Sequence, residues 1–240
     1  MKNSLPARKF STHEFEDWKR AIFDIYDRMR AKAKKPYVVE YGGQSFTVLP
    51  NVYAPEFFDD TLWYAKQLQD IVRNKSLLEV GTGTGVIAVF CAQNGAKVVA
   101  TDINPDAVEN TRINATRHNL NISVREGNLY EPLKPEEKFD FIFWAHPFNN
   151  WDMPIEDMLL KSGIDPRYES LKGYIAGAKN HLTSEGKLLL GTGDSADLKM
   201  IVELATQNGY ELKLLREIEQ PLEKGKDKKI KDLIYEFVSL

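Results

Sequence analysis

The sequence predicts an α/β fold, with a doubly wound, mostly parallel sheet, a C-terminal antiparallel hairpin and a small N-terminal cap of one helix and one β-hairpin. Three observations predict it. From residue 76 onward, strand-type and helix-type patterns alternate, which is typical of parallel strands covered by helices on both faces. A glycine-rich turn follows the first of these strands. The chain then closes on two β-type runs around a lysine-rich turn.

The first expected element is an amphipathic helix over residues 13–35. Its apolar residues recur at steps of three and four, which places them on one helical face. Ser11 or Thr12 is a suitable N-cap, since a short hydroxyl side chain can accept from the first free backbone amides.

Two short β-type runs, 37–41 and 44–49, come next. Gly42 and Gly43 separate them, and a two-glycine turn between such runs predicts a β-hairpin. We therefore expect a cap over residues 1–50 and the larger domain over residues 51–240.

The larger domain is expected to contain the following elements in chain order: a helix ending near 71, strand 76–81, helix 84–94, strand 97–102, helix 105–118, strands 122–126 and 139–144, a helix over about 168–182, strand 186–192, a helix over about 195–208, and β-type runs 211–219 and 230–239.

Composition excludes several classes of protein. The chain has 240 residues, 42% hydrophobic and 28% charged, with a net charge of −3, so it has no overall attraction to nucleic acid. No stretch approaches 18 uncharged apolar residues, and the charged N-terminus (Lys2, Arg8, Lys9) lacks a signal-peptide core, so we expect a cytoplasmic protein without a membrane partner. The single cysteine, Cys91, is interpreted as a buried structural thiol, and no Cys/His spacing indicates a metal.

The most informative segment is the glycine loop at 81–85 with the acids around it. Its spacing is G-x-G-x-G, and Val86 stands where a dinucleotide fingerprint has its third glycine. This disfavours a nicotinamide-dependent dehydrogenase. Glu79 beside the loop suits a cationic ligand better than a pyrophosphate, and Asp102 ends the next strand about 20 residues on, where an acid can bind ribose hydroxyls.

On these residues the chain resembles the class I S-adenosylmethionine-dependent methyltransferases, which have a Rossmann-like fold. The resemblance implies that S-adenosylmethionine is the cofactor: it carries a sulfonium and an ammonium and no phosphate. The loop amides would then face its methionine moiety, and Asn128 would lie near the adenine. The expected cofactor-binding residues are Glu79, Gly81, Gly83, Gly85, Asp102, Ile103, Asn128 and Leu129.

The fourth strand of the larger domain ends in Ala145-His146-Pro147-Phe148. At this place the chain is similar to the small-domain branch, which includes release-factor glutamine and tRNA adenine enzymes and has Asn/Asp-Pro-Pro-Tyr/Phe. Pro147 and Phe148 keep that pattern, but Ala145 cannot hold an amide or amino group. We expect His146, Pro147 and Phe148 to be catalytic, with His146 either a base or a wall of the pocket.

The segment 149–167 is too apolar for a plain solvent loop. It predicts either a lid over the substrate, with Trp151 and Phe148 as aromatic walls, or a short amphipathic helix packed on the domain. Ala145, Asn149 and Trp151 are the expected substrate-binding residues, and Asn149 is a candidate for the missing hydrogen-bond acceptor.

These observations predict a methyltransferase acting on a small-molecule acceptor. The alternatives are an N-methyltransferase of tRNA or of a translation-factor glutamine, with RNA or protein as the substrate, and a non-catalytic, regulatory protein that binds S-adenosylmethionine. Two basic clusters would bind phosphates if RNA were the substrate, and otherwise are solvated surface. They are Arg28, Arg30, Lys32, Lys34 and Lys35, and Lys224, Lys226, Lys228 and Lys229. The sequence indicates no oligomeric state.

Overall fold

The computed structural model describes residues 10–223 and 226–240. Lys2, Arg8, Lys9 and Lys224, which the sequence-based predictions used, lie outside the described residues. The α-helices are α1 (Thr12–Lys32), α2 (Asp60–Ile71), α3 (Val86–Gln93), α4 (Pro105–Arg117), α5 (Met158–Lys161), α6 (Glu169–Gly177) and α7 (Leu198–Gln207). The strands are β1 (Tyr37–Tyr41), β2 (Gln44–Val48), β3 (Ser76–Val80), β4 (Lys97–Asp102), β5 (Ser123–Glu126), β6 (Phe139–Ala145), β7 (Leu182–Gly193), β8 (Tyr210–Pro221) and β9 (Lys229–Ser239).

The main sheet has seven strands in the order β5-β4-β3-β6-β7-β9-β8. Strands β3 to β7 are parallel to one another, and β9 runs antiparallel to both β7 and β8. The predicted fold class, a Rossmann-like sheet with a closing antiparallel hairpin, is therefore confirmed. Within the described residues, no helix is both long enough and apolar enough to cross a lipid bilayer.

The boundaries between α6 and β7 differ most from their predictions. Helix α6 ends at Gly177, and β7 begins at Leu182, four residues earlier than expected. Leu182 pairs with Phe139 of β6, and the register then shifts before Lys187 pairs with Phe141. The longer strand thus results from pairing with β6 across an irregularity, which the local sequence pattern does not display.

Each face of the sheet carries its own apolar core. Leu78 and Leu190 face a cluster built with α6 and α7. Leu77 and Leu189, their neighbours along the same strands, face a cluster built with α2 and α3. Successive side chains of a strand point to opposite faces, so strands covered on both sides read as continuous apolar runs.

The N-terminal helix α1 begins with a capping box formed by Ser11 and Glu14, which confirms Ser11 as the N-cap. Its apolar stripe packs in a third cluster, together with Trp151, Leu159 and Leu222. Leu159 belongs to the four-residue helix α5, so the segment 149–167 contains a short helix packed on the domain.

The β1–β2 hairpin forms a separate two-stranded sheet whose outer edge is held by two asparagines of α4. Asn114 accepts from the Thr47 amide and donates to the Thr47 carbonyl, both at 2.8 Å. Asn110 accepts from the Leu49 amide at 2.8 Å. Each carboxamide therefore takes the place of a neighbouring strand and satisfies the backbone groups of the hairpin edge.

We predict that Asn114→Leu lowers the free energy of unfolding by about 2–4 kcal/mol, because it leaves the buried Thr47 amide without an acceptor. Urea unfolding followed by circular dichroism measures this. Asn121→Leu, at an exposed position, is the matched control and is expected to change stability by less than about 0.5 kcal/mol. Equal effects of the two substitutions would contradict the role of Asn114.

Candidate active site

A cavity of about 420 Å³ lies at the edge of the sheet where the parallel strands end. Residues that follow β3, β4, β5, β6 and β7 line it, together with the start of β9 and one face of α1. In open α/β sheets ligands bind beyond the carboxyl ends of the strands, so this cavity is the candidate active site.

The glycine loop after β3 forms one wall. Gly81 has φ of +63°, and a Cβ atom there would lie 2.6 Å from Trp144 Nε1, so this position requires glycine. Gly83 also has a positive φ, of +58°, but a Cβ atom there would meet nothing within 4 Å. The backbone of Gly83 is thus open to the cavity, and a ligand can approach it closely.

Gly85 is placed differently from the other two glycines. It is not among the residues that line the cavity, and a Cβ atom on it would lie 2.8 Å from the Thr111 side chain of α4. Its structural role is close packing of the loop against α4, so its predicted contact with the cofactor has no support from the geometry.

Glu79 lies buried beneath the loop. Its carboxylate accepts from Thr82 Oγ1 at 2.9 Å. Burial raises the pKa of Glu79 to about 8, and no described lysine or arginine makes an ion pair with it. A ligand cation beside the loop would therefore stabilise the ionised carboxylate.

Asp102 holds the next strand end to the loop. Its two oxygens accept from the Gly83 and Asn104 amides, both at 2.9 Å. The cap of α4 is Asn104, which accepts from the Asp106 amide at 3.0 Å. Because a carboxylate has about four acceptor positions, Asp102 keeps capacity for a ligand hydroxyl.

The remaining predicted cofactor residues, Ile103, Asn128 and Leu129, also line the cavity. Ile103 is 45% exposed, which is unusual for an isoleucine and leaves an apolar surface at the rim. Leu129 has φ of +49°, and its carbonyl accepts from Thr101 Oγ1 at 3.3 Å. This half of the cavity thus combines the Asp102 carboxylate with the apolar surface of Ile103.

The other half of the cavity begins at the end of β6. It is lined by five residues that the sequence marks as candidates for catalysis or substrate binding: Ala145, His146, Pro147, Phe148 and Asn149. Trp151 does not line the cavity. Its indole is buried against the rings of Phe15 and Phe23 on α1, so it anchors the helix and is not a wall of the cavity.

His146 is 2% exposed and packs among the rings of Trp144, Phe148 and Tyr168. Nε2 lies 2.9 Å from Thr192 Oγ1, while Nδ1 has no hydrogen-bond partner among the described residues. Burial lowers the pKa of His146 to about 3. The imidazole is therefore neutral at pH 7 and suits a hydrogen-bonding wall better than a general base.

The Asn149 side chain already has hydrogen-bond partners within the protein. Its Oδ1 accepts from Trp18 Nε1 at 3.3 Å, and its Nδ2 donates to the Gly163 carbonyl at 2.7 Å. The carboxamide joins α1 to the segment after β6, and the expectation that it replaces the acceptor missing at Ala145 is not supported.

The cavity also contains polar residues that the sequence predictions did not include, namely Asp60, Ser195 and Asp232. Ser195 Oγ and Asp232 Oδ1 are buried and have no hydrogen-bond partner among the described residues. A sequence signal exists for Asp232, which shares a face of β9 with the buried Ile230 and Ile234. An acid at such a position indicates either a partner or a function.

The two basic clusters are partly neutralised within the described residues. Arg28 forms a bidentate pair with Glu223, Arg30 contacts Asp157, and Lys32 contacts Glu56. In the second cluster, Lys229 pairs with Glu219. These contacts make a phosphate-binding surface at either cluster less favourable.

Comparison with known proteins gives consistent matches. Residues 43–213 match the family model of the methyltransferase small domain, starting inside the predicted cap. A candidate protein N5-glutamine methyltransferase of Methanocaldococcus jannaschii is 32% identical over 78% of this chain and 94% of its own length. The release factor glutamine methyltransferase of Aquifex aeolicus is 31% identical over 73% of this chain and 66% of its own length.

Among solved structures, the 16S rRNA N2 G1207 methyltransferase of T. thermophilus, solved with AdoMet and guanosine, superposes with a TM-score of 0.61 at 18% identity. The match covers 84% of this chain and 50% of that chain, and it shows the same fold. Of several other curated methyltransferases the chain spans 49% of the length or less.

We predict that the imidazole of His146 stays neutral throughout the range from pH 5 to pH 8, since its pKa is lowered to about 3. Its side-chain NMR signals, assigned by comparison with His146→Ala, are therefore expected not to move over this range. A titration midpoint between pH 5 and pH 8 would show instead that His146 can act as a base near neutral pH.

Proposed function

Because the chain belongs to the methyltransferase small domain family and is an S-adenosylmethionine-dependent methyltransferase, we propose that it methylates the side-chain amide nitrogen of a glutamine in a protein. The names of its relatives in Methanocaldococcus jannaschii and Aquifex aeolicus support this acceptor. The partial neutralisation of the basic clusters favours a protein over an RNA substrate.

The cofactor fits the half of the cavity over β3, β4 and β5. Asp102 would bind the ribose, the open backbone at Gly83 would face the methionine moiety, and buried Glu79 would lie near its ammonium. When bound, S-adenosylmethionine supplies an activated methyl group on a sulfonium. The protein therefore has to align the acceptor nitrogen and exclude water, and both tasks are matters of positioning.

The observation that carries the acceptor proposal is a pair of unpartnered polar atoms, His146 Nδ1 and Ser195 Oγ, in the same cavity as Pro147 and Phe148. A carboxamide both donates and accepts hydrogen bonds, and a neutral imidazole and a hydroxyl can do either. These two groups can replace the asparagine side chain that is lost at Ala145. The Phe148 ring supplies an apolar surface for the planar amide.

A small-molecule acceptor is the second candidate. Trp18, Ile22 and Tyr26 of α1 line the cavity and enclose its acceptor half. This enclosure, together with the alanine at position 145, favours an acceptor that enters whole over a long peptide.

We predict that Asp102→Asn weakens the binding of S-adenosylmethionine at least tenfold, because hydrogen bonds to a charged group are worth about 1.5–3 kcal/mol each. Isothermal titration calorimetry measures the dissociation constant. Glu109→Gln, at an exposed position on the adjacent helix, is the control and is expected to leave affinity unchanged. Unaltered affinity in Asp102→Asn would exclude Asp102 as the ribose ligand.

For the acceptor, cell extract is incubated with the enzyme and methyl-labelled S-adenosylmethionine, then separated into protein, RNA and small-molecule fractions. The label is expected in protein and, after complete digestion with proteases, in N5-methylglutamine. Label confined to the small-molecule fraction would establish the second candidate, and label in RNA would overturn the proposal.

With the labelled acceptor, Ser195→Ala is expected to lower kcat/KM about tenfold, the loss of one hydrogen bond, with cofactor affinity unchanged. Ser184→Ala, an exposed serine on β7, is the matched control. Equal kcat/KM in the two variants would remove Ser195 from the acceptor site.

A further inference from the structure

We propose that the acceptor half of the cavity contains a subsite for a cationic nitrogen group of the substrate, formed by the Asp60 and Asp232 carboxylates and by neighbouring aromatic rings. The inference deepens the proposed function: on a protein substrate, the cation is a lysine or arginine close to the methylated glutamine.

Asp232 provides the first observation. It is 1% exposed, lines the cavity, and lies at the start of β9 directly opposite Gly193 of β7. Its Oδ2 accepts from Gln220 Nε2 at 2.6 Å, but Oδ1 has no partner. Burying a carboxylate oxygen without a hydrogen-bond donor costs free energy. Either a bound ligand or a proton retained on the carboxyl group removes this cost.

Helix α2 brings a second carboxylate to the same place. The Tyr64 hydroxyl donates to the Thr192 carbonyl at 2.7 Å, which holds α2 against the end of β7. Asp60 precedes Tyr64 by four residues, on the same helical face. Its carboxylate accepts from the adjacent Thr61 amide, and the Tyr53 hydroxyl lies 3.4 Å from both of its oxygens.

The cavity has more acidic than basic side chains, which favours a cationic ligand. Six carboxylates line it, and among the described residues the only lysine or arginine that does so is Lys161. Glu79, Asp102 and Asp165 each accept from nearby hydroxyl or amide groups. No described lysine or arginine makes an ion pair with Asp60 or Asp232.

Burial raises the pKa of both acids. The pKa of Asp232 rises to about 8, and the nearby charge of Asp60 adds to this effect. The pKa of Asp60 rises to about 6.

Aromatic side chains complete the subsite. Tyr53 and Phe58 stack with ring centroids 5.2 Å apart, and both line the cavity with Trp18 and Tyr26. Carboxylates combined with aromatic faces attract ammonium and guanidinium groups by charge pairing and by cation–π interaction. A neutral donor such as a hydroxyl would satisfy the Asp232 oxygen but leave the carboxylate charges uncompensated, whereas a cation does both.

The position separates this subsite from the cofactor. Glu79 and Asp102 lie in the last residues of β3 and β4, whereas Asp232 lies on β9, beyond β6 and β7 in the sheet. The end of β6, with Ala145 to Phe148, lies between the two groups of acids. A substrate can therefore place its acceptor nitrogen at Phe148 while its cation occupies the subsite.

The test uses n-butylammonium as the probe, titrated into the protein saturated with S-adenosylhomocysteine and followed by NMR or calorimetry. We expect saturable binding that 1-pentanol, a neutral probe of similar size, does not reproduce. Asp232→Asn and Asp60→Asn should each weaken it at least tenfold. Asp70→Asn, an exposed acid on α2, is the control and should change it less than twofold.

Equal binding of the two probes, or unchanged binding in Asp232→Asn with the fold verified by thermal unfolding, would overturn the subsite and indicate a retained proton on Asp232. A second measurement compares glutamine peptides that carry lysine or norleucine next to the glutamine. A lower KM for the lysine peptide, lost in Asp232→Asn, supports the subsite. If the probe binds but no glutamine peptide is methylated, the proposed function fails while the subsite stands.

Discussion

The chemistry of this protein depends on one constraint of chain geometry: five parallel strands end at the same edge of one sheet. Residues that lie far apart in the sequence, such as Glu79, Asp102 and His146, are thereby brought into one cavity. The antiparallel β9 starts at this edge and adds Asp232. All four groups are buried, and two of their atoms, His146 Nδ1 and Asp232 Oδ1, have no hydrogen-bond partner among the described residues.

The burial of these groups is unfavourable for stability and useful for binding. The raised pKa values of Glu79 and Asp232 reflect carboxylates whose charged form is poorly solvated in the free protein. A cationic ligand restores the lost stabilisation, and its binding is correspondingly stronger in such an environment. The two acids lie on opposite sides of the β6 terminus, which suits one cationic centre on the donor and another on the acceptor. Natural sequences accept local destabilisation of this kind at functional sites.

Much of the fold, and the meeting of the glycine loop with Asp102 in one cavity, could be predicted from the sequence because the signals are local. Alternating strand and helix patterns, the glycine loop and Asp102 lie within short segments whose geometry is set by neighbouring residues. Trp151 could not be placed, because the choice between a cavity wall and an anchor for α1 depends on contacts with Phe15 and Phe23, over a hundred residues away. The strand-like pairing of Asn110 and Asn114 with β2 is invisible for the same reason.

The acceptor half was the least predictable part. Asn149 has the residue type expected of a substrate ligand, yet tertiary contacts with Trp18 and Gly163 occupy its carboxamide. The unpartnered Ser195 Oγ and Asp232 Oδ1 belong to the segment after β7 and to β9. Ser195 follows a buried strand, and Asp232 is one polar residue in an otherwise apolar alternation. Only the register between β7 and β9 shows that they share a cavity with the β6 terminus.

The proposal that cofactor and acceptor occupy separate halves of the cavity is tested most directly by a crystal structure of the protein with S-adenosylhomocysteine bound. We expect the ribose to bind Asp102, the adenine to lie beside Ile103 and the sulfur to face Ala145–Phe148. The Asp232 side of the cavity is expected to be free of cofactor. A cofactor whose amino-acid moiety reaches Asp232, or whose ribose lies away from Asp102, would contradict the proposal.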